Sequence, residues 1–152
     1  MLLDQIKFTV CMSVYKNDNP VDFKSAVVSI YTEQTIRPSE IVLVVDGPIS
    51  DTLNSVIIQL KENIPVLRVI ELERNMGHAI ARQTGLDAAK NELVAVMDAD
   101  DLAVSNRFEL QLKVFASYPD VSVVGGIINE FIDTILLFCD SPTNRVGTKI
   151  NS

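Results

Sequence analysis

The sequence predicts an α/β fold in which a doubly wound, mainly parallel β-sheet is covered by helices on both faces. Short runs of apolar, β-branched residues alternate along the chain with segments whose apolar residues recur every three or four positions. The apolar runs are continuous, which is typical of strands buried on both faces of a parallel sheet. The length of 152 residues fits a single domain, which we expect to span residues 1–152.

The first half of the chain is predicted to contain two strand–helix units and a third strand. The strands are expected at residues 7–14, 41–45 and 66–72. Asp18-Asn19-Pro20 indicates the start of the first helix, because proline is favoured in a first helical turn. The second helix contains Leu53, and the prolines Pro38 and Pro65 follow the two helical stretches and end them.

The second half is predicted to add two helices and two strands. The expected elements are a helix at 79–90, a strand at 93–97, a helix capped by Ser105 and a strand at 121–124. Helical spacing predicts that Ile80 and Leu86 face the core from the third helix. Phe108, Leu112 and Phe115 are expected to do so from the fourth.

Composition argues against several classes of function. The net charge is −7 with an isoelectric point near 4.6, and Lys and Arg form no cluster, so nucleic acid is not an expected partner. The apolar runs are far shorter than the roughly 20 residues that span a bilayer, and the N-terminus has no signal-peptide pattern. Cys11 and Cys139 lie far apart, so neither a zinc site nor a disulfide is predicted. We therefore expect a cytoplasmic protein.

Polar residues collect where three predicted strands end. They are Ser13 and Tyr15 after the first strand, Asp46 after the second, and Asp98, Asp100 and Asp101 after the fourth. Ligands of such sheets bind at the carboxyl ends of the strands, so these carboxylates are expected to share one crevice. A bound Mg²⁺ or Mn²⁺ would relieve their repulsion and leave coordination positions for phosphate oxygens. Each aspartate alone is also explained as a turn former or helix cap, and capping is the favoured explanation for Asp101.

Three further side chains have alternative interpretations. Tyr15 can stack on a base or cover the sheet edge, and Arg82 can pair with phosphate or lie on a solvated helix face. His78 is the single histidine; it is either a solvated loop residue or a functional group. The sequence has no G-x-G-x-x-G and no P-loop motif, which argues against dinucleotide and P-loop nucleotide binding.

The chain resembles family 2 glycosyltransferases, which have the Rossmann-like GT-A fold, over about residues 7–132. The motifs that carry this resemblance are FTVCMSVYK at 8–16, EQT at 33–35, EIVLVVDGP at 40–48, NMGHAIARQTG at 75–85 and VMDADD at 96–101. Each motif alone is weak, but their shared order and spacing make the match specific. Residues 133–152 stay unassigned, and the fold is expected to be truncated relative to the family.

The resemblance implies a nucleotide-sugar donor site and a role for each matching residue. Ser13 and Tyr15 would border the nucleobase, Asp46 would bind the base, Arg82 would lie near the base and phosphates, Asp98 would face the ribose or sugar, and Asp100 would bind Mn²⁺ or Mg²⁺. The implied reaction transfers a sugar, with inversion, from a UDP-sugar to an acceptor hydroxyl in polysaccharide biosynthesis. The acceptor would be a saccharide or a lipid-linked molecule, and the latter implies peripheral membrane contact.

The sequence departs from the family pattern at several points. The second acid of the family's acidic turn is missing, since Gly47 and Pro48 follow Asp46 directly, and Gln83 replaces an asparagine. The family's catalytic base lies in a part of the chain with no match here, so none is assigned. Alternatives are a non-catalytic nucleotide-sugar binding domain, an incomplete enzyme without its acceptor half, and a phosphatase using Asp98 and Asp100. Homo-oligomerisation through the apolar residues 127–138 is a further hypothesis.

Overall fold

The computed structural model describes residues 3–129, 131–132, 135–136 and 146–147. The strands are β1 (Phe8–Val14), β2 (Glu40–Val45), β3 (Leu67–Glu71), β4 (Leu93–Met97), β5 (Val123–Val124), β6 (Phe131–Ile132), β7 (Ile135–Leu136) and β8 (Val146–Gly147). The helices are α1 (Pro20–Tyr31), α2 (Asp51–Asn63), α3 (His78–Ala88) and α4 (Arg107–Ser117). A short 3₁₀ turn, Leu3–Gln5, precedes β1. The predicted alternation of strands and helices is confirmed through α4.

The central sheet contains four parallel strands in the order β3-β2-β1-β4. In the register, Val14 of β1 pairs with Val45 of β2, and Met12 pairs with Met97 of β4. The carboxyl ends of these three strands therefore lie side by side at one edge of the sheet. The predicted crevice required β1, β2 and β4 to be neighbours in the sheet, because only then do the polar residues that follow these strands lie close together.

Helices cover both faces of the sheet, which confirms the doubly wound architecture. On one face the buried residues of α1, α2 and α4, among them Phe23, Leu53 and Phe108, pack with β1 and β2 in one large cluster. On the other face α3 packs on Cys11 and on Val42 and Val44 of β2. The strands of the sheet's centre are buried on both sides, as their continuous apolar runs predicted.

The start of α1 follows the predicted chemistry, whereas the start of α4 does not. The side chain of Asn19 accepts the N–H of Val21 at 2.8 Å, immediately before Pro20. Ser105 was predicted to cap α4, and this is wrong: Asn106 occupies the N-cap position and makes no side-chain cap bond. The carbonyl of Ser105 instead accepts the N–H of Thr35 at 2.8 Å, which ties this segment to the loop after α1.

The buried face of α3 also differs from the prediction. Ile80 and Leu86 are 47% and 36% exposed, and the residues that face the sheet are Ala81 and Gly85. A Cβ atom on Gly85 would lie 3.4 Å from a methyl of Val44, so the helix lies too close to β2 for large side chains. The prediction failed because it identified the core face by residue size, whereas close packing selects small residues.

Three further predictions have mixed outcomes. Phe108 and Leu112 are buried, but Phe115 is only half-buried. The predicted fifth strand is shortened to β5, which pairs antiparallel with β8 and not with the central sheet. Of the proposed apolar oligomer surface at 127–138, Ile127, Ile128 and Asn129 are exposed, and the side chains of residues 130–138 lie outside the described residues. No helix in the described part of the chain has the length and apolarity needed to cross a membrane.

A polar cluster around Glu40 holds the opposite edge of the sheet, at the start of β1 and β2. One carboxylate oxygen of Glu40 accepts the hydroxyl of Thr9 and the N–H of Lys90, both at 2.8 Å, and the other lies 3.0 Å from the Arg68 guanidinium. Burial alone raises the pKa of Glu40, but the two hydrogen bonds and the charge of Arg68 outweigh it and hold the pKa below its ordinary value. This cluster ties β1 and β2 to the end of α3.

We expect Glu40→Gln to lower the free energy of unfolding at pH 7 by about 1–3 kcal/mol, because one acceptor and the charge facing Arg68 are lost. A depressed pKa contributes stability above the unfolded-state pKa and loses it as the pH falls through the folded-state value. The difference between wild type and variant should therefore shrink in acid. Urea unfolding at pH 7 and at stepwise lower pH measures it, with the exposed Glu62→Gln as control. A difference independent of pH would contradict the assignment.

Candidate functional site

A cleft of ≈ 400 Å³ opens at the carboxyl edge of the sheet. Five of the six site residues predicted from the sequence line it: Ser13, Tyr15, Asp46, Asp98 and Asp100. The sixth, Arg82, is not part of this lining and reaches the cleft through a contact with Asp98. The structure therefore brings the predicted residues together in one place, and their individual roles stay predictions.

Asp46 is the most buried of these residues and holds the loop before α3. It is only 4% exposed, and its N–H extends the sheet ladder by donating to the carbonyl of Val14 at 2.8 Å. Its two carboxylate oxygens accept the backbone N–H groups of Met76 at 2.6 Å and Gly77 at 3.0 Å. Its carbonyl also accepts the side-chain amide of Asn75 at 3.2 Å. Asp46 thus sets the position at which α3 begins.

Gly47 explains why no second acid follows Asp46. Its φ is +84°, a conformation that side-chain-bearing residues rarely adopt. A Cβ atom there would lie 2.4 Å from the backbone nitrogen of Asn75 and 2.7 Å from the carbonyl carbon of Arg74. The close approach of the two loops therefore favours glycine at position 47, and Asp46 is the only acid of this turn.

An ion pair joins α3 to the end of β4. A guanidinium nitrogen of Arg82 lies 2.6 Å from Oδ1 of Asp98, and Nε2 of His78 lies 3.9 Å from the same oxygen. His78 and Arg82 are one turn apart on α3, so both present their nitrogens to one carboxylate. All three side chains are between one-third and two-thirds exposed, and the pair is worth more as an orienting contact than as a source of stability.

The turn after β4 gathers three carboxylates, and Arg107 supports it. Burial raises the pKa of Asp101, the charges of Asp98 and Asp100 raise it further, and the charge of Arg107 opposes them. Arg107 donates to the carbonyl of Val96 at 3.0 Å, close to the point where β4 ends. The capping explanation favoured for Asp101 is wrong, since the helix that follows, α4, has Asn106 at its N-cap.

The acidic turn after β4 could hold a metal ion only if a bound ligand supplied the remaining coordination positions. In residues 3–129, no three or more His, Cys, Asp or Glu side chains form a group able to hold a metal ion. Asp100 is exposed and makes no hydrogen bond or ion pair with another described residue. Mg²⁺ is commonly bound by one or two carboxylates together with substrate phosphates. A free carboxylate at the cleft is consistent with that mode of binding.

Sequence reasoning missed several residues of the cleft. Asp18, Asn75 and Gly77 line it, and His78, for which two interpretations stood open, lines it too. Asp18 was read only as part of a helix start, because a loop acid before a proline has that ordinary explanation. The available signal was its position: loops that follow parallel strands lie at the edge where ligands bind.

Comparison with known proteins gives a consistent result. The family model described as "Glycosyl transferase family 2" matches residues 9–139. The amylovoran biosynthesis glycosyltransferase AmsE of Erwinia amylovora is 35% identical over 124 residues, covering 82% of this chain and 46% of that protein. The UDP-Gal:alpha-D-GlcNAc-diphosphoundecaprenol beta-1,3-galactosyltransferase of Escherichia coli is 34% identical over 128 residues, covering 84% and 46%. The chain thus spans about half the length of these curated relatives.

Solved structures support the same fold. TarS of S. aureus superposes with a TM-score of 0.66 at 21% identity, covering 85% of this chain and 23% of that one. The mannosyltransferase PcManGT from Pyrobaculum calidifontis, solved in complex with GDP-Man and Mn²⁺, gives a TM-score of 0.62 at 26% identity, covering 78% and 35%. The GT-A architecture predicted from the sequence is confirmed.

The two glycines with positive φ provide a matched test of the loop contact. Gly77 has φ +90° and ψ 155°, a conformation that is essentially confined to glycine, but a Cβ there would meet open space, so Gly77→Ala should lose about 1–3 kcal/mol of unfolding free energy from backbone strain alone. Gly47→Ala should lose about 1–3 kcal/mol more than Gly77→Ala, because its Cβ would meet backbone atoms. This is the loss of stability that overpacking ordinarily causes. Urea unfolding measures both values. Equal losses would contradict the close approach of Gly47 to Asn75.

Proposed function

The chain belongs to glycosyl transferase family 2, and from this premise we propose that it binds a nucleotide-sugar donor in the cleft and takes part in transferring the sugar to an acceptor hydroxyl. The observation that carries the proposal is the convergence of three strand ends on one cleft of ≈ 400 Å³. That cleft presents an aromatic ring from Tyr15, the buried acceptor Asp46 and the acidic turn at Asp98 and Asp100. A base, a ribose and a diphosphate require these three kinds of contact.

We expect the base to lie between Tyr15 and Asp46, next to Ser13. The Tyr15 ring lines the cleft and is 39% exposed, so one face is available for stacking. Each carboxylate oxygen of Asp46 already accepts one N–H and retains a lone pair that can accept a base N–H. UDP is the proposed carrier because the Escherichia coli relative is named for UDP-Gal, and TarS was solved with UDP and with UDP-GlcNAc.

Asp98 and Asp100 would serve the ribose and the diphosphate. Oδ1 of Asp98 is held by Arg82, which leaves Oδ2 to accept a hydroxyl of the ribose or sugar. Arg82 would stay near the phosphates. Asp100 would hold a Mn²⁺ or Mg²⁺ ion together with diphosphate oxygens. The ion's contribution is to neutralise the charge that develops on the leaving nucleoside diphosphate.

The acceptor is proposed to be a saccharide, free or lipid-linked, in the synthesis of a surface polysaccharide. The names of the two bacterial relatives refer to amylovoran biosynthesis and to a diphosphoundecaprenol acceptor. A lipid-linked acceptor would bring the protein into peripheral contact with a membrane. Inversion at the anomeric carbon is part of the proposal and requires a base on the opposite face of the sugar.

Donor binding without turnover is the second candidate. The contacts proposed for the cleft are all contacts to a donor, and none of them is a contact to an acceptor hydroxyl. Release of UDP from a UDP-sugar, with and without a saccharide acceptor, separates the two candidates. The phosphatase hypothesis is disfavoured because Asp98 lies at the end of β4 and is paired with Arg82.

Asp100→Asn tests the shared metal site. Wild type should bind UDP at least tenfold more tightly with Mn²⁺ than without it, and the variant should lose this gain because the amide is a weaker ligand. Calorimetric titration of UDP with and without Mn²⁺ measures both. Asp51→Asn, which makes the same charge change in the first turn of α2, is the control and should behave as wild type. A variant that retains the metal-dependent gain would contradict the role of Asp100.

A further inference from the structure

Asp18 and Tyr15 form a reciprocal pair in the loop between β1 and α1. Oδ2 of Asp18 accepts the backbone N–H of Tyr15 at 2.8 Å, and the backbone N–H of Asp18 donates to the carbonyl of Tyr15 at 3.1 Å. The next residue, Asn19, caps α1. The loop is therefore fixed to the helix on one side and closed on itself by the carboxylate on the other.

Both residues of this pair line the cleft. The Tyr15 ring is exposed at the cleft, whereas the Asp18 side chain is half-buried beneath the loop. Within the described residues, the only hydrogen bond accepted by the Asp18 carboxylate comes from Tyr15. A carboxylate placed in this way determines where the Tyr15 backbone lies and hence where its ring can reach.

The charged groups near Asp18 are compatible with two different roles for this residue. Burial raises the pKa of Asp18, the Tyr15 N–H lowers it, the charge of Asp100 raises it, and His78 lowers it. Asp100 and His78 line the same cleft as Asp18. Asp18 could act on the nucleobase through Tyr15, or directly on a cation beside Asp100. The short bond to Tyr15 favours the first role, because it occupies one oxygen in an orientation fixed by the loop.

We infer that Asp18 is a positioning residue that holds Tyr15 at the rim of the cleft, where the ring meets the nucleobase of the donor. The inference rests on the proposed function and extends it to a residue that the motif comparison did not assign. A positioning role predicts an effect on binding of the base whether or not a diphosphate and a metal ion are present.

The test compares Asp18→Ala with Asp18→Asn, using two probes. Both variants remove the charge that faces Asp100, but only asparagine keeps an oxygen that can accept the Tyr15 N–H. The probes are UMP in the presence of EDTA and UDP in the presence of Mn²⁺, titrated calorimetrically. Asp22→Ala, an exposed acid in the first turn of α1, is the control for charge at this end of the helix. Unfolding curves verify that each variant is folded.

Asp18→Ala should lower the affinity for both probes by a similar factor of about ten, which is the order of a lost base-stacking contact. The affinities of Asp18→Asn should stay within about twofold of the wild-type values. In a Tyr15→Ala background, Asp18→Ala should cause no further loss, because the two residues act through one contact. Loss of UDP binding alone, equal in both variants, would overturn the inference in favour of a metal-ligand role. Unchanged binding in Asp18→Ala would also overturn it.

The same titrations distinguish a failure of the proposed donor site from a failure of the role inferred for Asp18. If the wild-type protein binds neither probe, both the proposed donor site and the role of Asp18 are contradicted. If the wild-type protein and Asp18→Ala bind both probes equally well, only the role of Asp18 is contradicted. Amide hydrogen exchange of Tyr15 gives a readout independent of nucleotide. Its protection should fall in Asp18→Ala and persist in Asp18→Asn.

Discussion

The contact between the Asp46 carboxylate and the backbone N–H groups of Met76 and Gly77 organises the cleft. It joins the end of β2 to the residue at which α3 begins. Because α3 starts there, Arg82 one turn later reaches Asp98 at the end of β4. The helix thus spans from the second strand to the fourth, across the strand between them. Without this contact, α3 and its Arg82 would have no fixed relation to the three strand ends, whose own positions are set by the register of the sheet.

Close packing is the second constraint, and it accounts for Gly47 and for the small residues on the buried face of α3. Gly47 lies against the backbone of Asn75, and Gly85 lies against Val44. Both approaches exclude larger side chains, and both keep α3 and its preceding loop near β2. The exposed Ile80 and Leu86 are the consequence, since the face of α3 turned toward the sheet accepts only small residues.

The charges of the cleft are unequal. Asp18, Asp46, Asp98 and Asp100 line it, against His78 and the neighbouring Arg82. Backbone N–H groups stabilise the carboxylates of Asp46 and Asp18, and Arg82 pairs with Asp98, whereas Asp100 has no such contact among the described residues. A diphosphate entering this site would meet uncompensated negative charge, and a divalent cation held by Asp100 would offset it. The proposed metal dependence follows from this imbalance.

The sequence predicted the central sheet because its strands are buried on both faces and read as continuous apolar runs. It also predicted which strand ends carry Asp46, Asp98 and Asp100, since their positions follow directly from the strand boundaries. It did not predict Asp18, whose local pattern is that of any helix start. The Asp46 contact was missed because it joins residues about thirty positions apart and uses backbone groups.

We propose that the strand ends and the start of α3 form one nucleotide site. Titration of the isotope-labelled chain with UDP and Mg²⁺, followed by amide chemical shifts, tests it most directly. The account predicts saturable shifts at Tyr15, Gly77 and Asp98, with the amides of Thr9 and Lys90 at the opposite edge of the sheet unchanged. Shifts confined to that opposite edge, or none at millimolar UDP, would contradict it.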